Sequence, residues 1–63
     1  MASEKQVGYL KNLLEGTLLS WEDICFNLNA NMLVKFKNGY KDMEKLNNQE
    51  VDAAIVYMSG LKR

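Results

Sequence analysis

Four lysines, Lys35, Lys37, Lys41 and Lys45, are interleaved with Phe36 and Tyr40 in the middle of the chain. Ammonium groups at this density can contact phosphates while an aromatic ring stacks on a base, which is the chemistry of single-stranded nucleic-acid binding. The same run contains Asp42 and Glu44 and no arginine, so a solvated face of mixed charge accounts for the lysines more simply. Lys35, Phe36, Lys37, Tyr40, Lys41 and Lys45 are therefore the candidate partner- or nucleic-acid-binding residues. Lys62 and Arg63 either extend that basic surface or complement the negative end of the final helix dipole.

The other reactive residue types do not assemble into a catalytic set. Glu22 and Asp23 are adjacent carboxylates, but neighbours on a helix point about 100° apart and do not converge on one atom. They are better explained as first-turn charges, as are Glu50 and Asp52 further on. The chain has no histidine and one cysteine, Cys25, which excludes an internal disulfide and a Cys/His zinc site. No nucleophile–base pair and no Gly-rich phosphate loop is present. The expectation is a non-enzyme without catalytic, cofactor-binding or metal-binding residues, in which Cys25 is a buried structural thiol.

The elements that position these residues must fit into 63 residues. A chain of that length forms one small domain over residues 1–63, burying only about 60% of the surface its unfolded state exposes. Hydrophobic residues make up 48% and charged residues 25%, a composition that folds and does not resemble a disordered segment. Eight basic and eight acidic residues cancel, so net charge does not draw the protein to nucleic acid or an anionic membrane. The first residues lack a positive region leading into an apolar run, so no secretion signal is expected. No apolar run approaches the roughly 20 residues of a membrane span. A reducing, cytoplasmic setting fits this cysteine usage.

Ser3-Glu4-Lys5-Gln6 reads as a capping box that opens a helix running to about Glu15, with Gly16 placed to end it in the left-handed conformation. Its apolar face is Val7, Leu10, Leu13 and Leu14, extended by Leu18. Gly8 weakens it by roughly 1 kcal/mol relative to alanine unless another helix packs closely there. Ser20 opens a second helix in which Trp21, Ile24, Cys25 and Leu28 repeat the i, i+3, i+4, i+7 spacing of a buried stripe. Asn27, Asn29 and Asn31 then compete for backbone hydrogen bonds and end it. The last helix starts at Asn47-Asn48-Gln49-Glu50, and its stripe is Val51, Ala54, Ile55, Met58 and Leu61.

Between them, Met32 to Leu46 admits two readings. Met32–Lys37 can alternate as a strand into an Asn38-Gly39 hairpin turn, but Lys41–Lys45 makes a poor second strand. The preferred reading is a short helix over 30–37 closed by Gly39, then an extended Tyr40-Lys41-Asp42 or a single helical turn leading to Leu46.

Both ends of the chain carry a resemblance. The segment from Ala2 to Leu14, with Glu4-Lys5-Gln6, Tyr9-Leu10 and Leu13, resembles the "A-T-E-K-Q-x-x-Y-L/I-x-x-L" opening of a small helical module of phage and mobile-element proteins. Tyr40 to Ile55 resembles that module's closing "D/S-L-E-E-L-T-K-E-E-A-S-x-L-I" segment. The resemblance covers about half of the chain; the stretch from Phe26 to Phe36 is longer and richer in asparagine than the module's connection. In that family the module is often a tail on single-strand annealing recombination proteins. No annealing domain accompanies it here, so the resemblance implies an accessory or adaptor role.

The expected architecture is all-α, a small bundle of three to four short helices around Leu10, Leu14, Trp21, Ile24, Leu28, Ile55 and Met58. The expected function is non-catalytic binding to a larger protein of phage or bacterial DNA replication, recombination or host defence, as adaptor or inhibitor, with Tyr9, Phe26, Phe36 or Tyr57 as docking groups. Nucleic-acid binding through the lysine run is one alternative. Self-association is another, which makes the protein a monomer or weak homodimer; no membrane partner is expected.

Overall fold

Three reciprocal side-chain caps start the helices of this chain. The computed structural model describes residues 2–61. Helix α1 (Glu4–Thr17) begins at Ser3, whose hydroxyl accepts the Gln6 N–H at 3.2 Å while the Gln6 side-chain oxygen Oε1 accepts the Ser3 N–H at 2.9 Å. Helix α2 (Trp21–Ala30) repeats the device with Ser20 and Asp23. Helix α3 (Asn48–Leu61) does so with Asn47 and Glu50, at 2.8 and 2.9 Å. Each box satisfies N–H groups that the first helical turn leaves without an intrahelical partner.

Helix α3 packs against both α1 and α2, and a single 3₁₀ turn at Met43–Lys45 packs against α1. The described residues contain no strand, and the chain is an all-helical single globule. Its radius of gyration, 10.4 Å, matches the value of about 10.6 Å expected for a folded chain of this length. The core joins Val7, Leu10 and Leu13 of α1, Trp21, Ile24, Cys25 and Leu28 of α2, and Val51, Ala54 and Met58 of α3. Leu14 and Ile55 sit at its rim, half-buried.

Several helix ends differ from the sequence expectation. Gly16 stays inside α1, and the left-handed residue is Leu18, at φ 61°. Thr17 carries the helix past Gly16: its hydroxyl donates to the Leu14 carbonyl at 2.7 Å and accepts the Leu19 N–H at 3.2 Å. Leu18 consequently points away from the stripe and is almost fully exposed. Nor does a helix pack against Gly8, where an added Cβ would meet nothing within 4 Å.

The middle segment forms neither the helix over 30–37 nor the hairpin. Helix α2 ends in a Schellman motif, in which the Met32 N–H donates to the Asn29 carbonyl at 3.1 Å and the Leu33 N–H to the Leu28 carbonyl at 2.9 Å. Met32 takes the left-handed position at φ 59°, which breaks the helical path. The chain then turns at Phe36–Gly39, where the Gly39 N–H donates to the Phe36 carbonyl and Gly39 adopts φ 74°. An extended stretch through Asp42 and the 3₁₀ turn follow, as anticipated, and deliver Leu46 to the core.

Candidate interaction surface

The six lysine-run residues separate into different environments. Phe36 is only 4% exposed and belongs to the core. Its N–H donates to the Asn29 side-chain oxygen at 3.1 Å, so an asparagine that ends α2 also seats the loop. The Phe36 ring is thus enclosed and presents no free face on which a base could stack.

Lys41 is the tie between the loop and two helices. Its ammonium lies 2.9 Å from Glu50 Oε1, while its backbone carbonyl accepts the Trp21 indole N–H at 2.7 Å and lies 3.7 Å from the Cys25 sulfur. Burial favours the neutral form of Glu50, but the Asn47 N–H and the Lys41 ammonium outweigh it and hold this carboxyl below the ordinary glutamate range. Burial raises the Cys25 thiol, with the negative charges of Asp42 and Glu22 adding to it against the opposing contact with Lys41. Cys25 is therefore an inert, protonated side chain at neutral pH. Trp21 packs inward, as its place in the stripe predicts.

Lys45 lies 4.0 Å from Asp42 with both side chains largely in solvent, a pair that contributes little. Lys35 and Lys37 are exposed and make no ion pair among the described residues. Tyr40 is 44% exposed. Desolvation, the adjacent Asp42 carboxylate and the charge of Glu22 push its phenol above the ordinary tyrosine value, so it remains a neutral donor. Lys62 and Arg63 lie outside the described residues.

Tyr40 shares a cleft with a second aromatic group. Phe26 stands on the outward side of α2, 69% exposed, because the buried stripe of Trp21, Ile24, Cys25 and Leu28 turns position 26 away from the core. Phe26, Tyr40, Gly39, Glu22 and Asp23 line an open cleft of about 400 Å³. On the other side of the loop, Met32, Leu33, Val34 and Lys35 line another of about 450 Å³ together with Asn29 and Phe36. Met32 is 91% exposed. Of the remaining docking groups suggested by sequence, Tyr9 is exposed on α1, whereas Tyr57 is half-buried against the core.

Phe26 is legible from helical periodicity alone. Met32 and Leu33 are not, since their exposure follows from a Schellman motif whose left-handed residue is neither glycine nor asparagine. Among the described residues no group of three or more His, Cys, Asp or Glu side chains is arranged to hold a metal ion. None of the described helices is long and apolar enough to cross a membrane. No protein-family model, curated protein or solved structure matches the chain.

Proposed function

We propose that this protein is a small, non-catalytic binding module whose partner is another protein. The observation that supports this reading best is the exposed apolar surface at the α2–loop junction, where Phe26, Met32 and Leu33 stand in solvent. Met32 adds weight, because a non-glycine residue in the left-handed region costs about 1 kcal/mol and here the strained position carries an exposed apolar side chain. Met32 and Leu33 line one cleft together, and neighbouring apolar groups of this kind suit a protein interface better than isolated exposed leucines do.

The resemblance of the two chain ends to a phage module supports a partner in phage or bacterial DNA replication, recombination or host defence. The protein would act there as adaptor or inhibitor, in the cytoplasm. Nucleic-acid binding is the second reading, favoured by the exposed Lys35 and Lys37. It is weakened by Phe36 being in the core and Lys41 being committed to Glu50.

Capture of partners from bacterial lysate on the tagged protein tests the choice. A protein retained through nuclease and high salt, and lost on Phe26→Ala or Met32→Ser, is the expected result. Recovery abolished by nuclease or salt, and by Lys35→Ala with Lys37→Ala, would transfer the assignment to nucleic acid. Lys41 is best left intact in that variant, since its replacement also breaks the tie to α3.

A further inference from the structure

The cleft between Phe26 and Tyr40 has a chemical character more specific than apolar. Two aromatic residues, Phe26 and Tyr40, and two carboxylates, Glu22 and Asp23, line it. Asp23 spends one oxygen on the Ser20 N–H. Glu22 has no hydrogen-bond or ion-pair partner among the described residues; Lys41 and Lys45 are engaged with Glu50 and Asp42, and the unpaired Lys37 is not part of the lining. The lining of the cleft thus holds two carboxylates and no cation.

Aromatic faces attract cations through their quadrupole, and a carboxylate beside them adds a charged hydrogen-bond acceptor. A guanidinium satisfies both at once, because it stacks flat on a ring while its edge pairs with a carboxylate. An ammonium is more strongly hydrated and cannot stack. Gly39, also in the lining, has no side chain to fill the space.

We infer that the Phe26–Tyr40 cleft receives an arginine side chain from a basic segment of the partner protein. The inference rests on the binding-module reading and names the charge of its partner: Met32 and Leu33 supply apolar contact, and the cleft selects a cation. Phe26 and Tyr40 sandwich the guanidinium, and Glu22 neutralises it.

The test is an NMR titration of the isotope-labelled full chain with a capped pentapeptide holding one central arginine between alanines, and with its uncharged citrulline counterpart. The arginine peptide is expected to shift the amide signals of Glu22 to Phe26 and of Gly39 and Tyr40 in a saturable way, with citrulline at least about fivefold weaker. Phe26→Ala and Glu22→Gln should each weaken arginine binding about threefold to tenfold while the chain stays folded, Glu22→Gln lowering the thermal midpoint by only a few degrees through its first-turn charge. Equal shifts by both peptides, shifts confined to Met32–Lys37, or none at millimolar peptide would overturn the inference. A lysate partner bound by the Glu22→Gln protein with undiminished affinity but lost on Met32→Ser would likewise remove the cleft and leave the binding module standing.

Discussion

Phe36 illustrates how one side chain changes meaning between sequence and structure. Flanked by Lys35 and Lys37 it reads as a stacking group, yet it fills the core. Truncating such a ring to alanine costs roughly 3–5 kcal/mol, against a total of about 3–9 kcal/mol for a chain of this size. Phe36→Ala is therefore expected to lose most of its cooperative unfolding transition by circular dichroism, whereas Phe36→Leu retains it. A wild-type melting curve for Phe36→Ala would contradict the core placement. Glu50 makes a second prediction at this scale. Its folded-state pKa lies below the unfolded one, so the stabilisation is complete above the ordinary glutamate range and fades as pH falls through the folded value. Glu50→Gln should melt earlier near neutral pH and lose less stability than the wild type on acidification. Parallel acid profiles for the two proteins would leave the Lys41–Glu50 pair without a stabilising role.

Helix starts and helix ends obey different rules in this chain. All three starts were readable because Ser3, Ser20 and Asn47 each bond a backbone N–H three residues on, and the return partner is polar in every case. The ends were not, because Leu18 and Met32 hold left-handed conformations that their residue types do not favour. Asn38-Gly39 does turn the chain, but without strands on either side no hairpin follows. Met32→Gly should accordingly raise the unfolding free energy by about 0.5–1 kcal/mol, seen as a higher urea midpoint at unchanged slope. Gly8→Ala should add about 1 kcal/mol, since the new methyl group meets nothing within 4 Å. A destabilised Gly8→Ala would mean that α1 has a neighbour there.

For the molecule as a whole, the helical stripes predicted Leu10, Leu14, Trp21, Ile24, Leu28, Ile55 and Met58 as core; all are buried except Leu14 and Ile55, which are half-buried at its rim. Phe36, Met43 and Leu46 escaped notice because they reach the core from irregular backbone, where no period marks the inward side. The candidate surface was half legible for the same reason. Phe26 and Tyr40 were singled out from residue type and position, but the ion pair that removes Lys41 needs residues nine apart to be brought together by folding. That placement also gives the protein an internal clock. The single thiol is completely enclosed, and its sulfur lies against the same Lys41 carbonyl that receives the Trp21 indole. A thiol reagent can reach Cys25 only while the segment around Lys41 is lifted or the chain is unfolded. With fast reclosing, labelling in increasing urea separates the two, since a flat rate reports loop lifting and a steep one reports global unfolding. Glu50→Gln should quicken the flat phase, and partner binding at the cleft above the loop should slow it, so one sulfur atom would time both the resting motions of this surface and its capture.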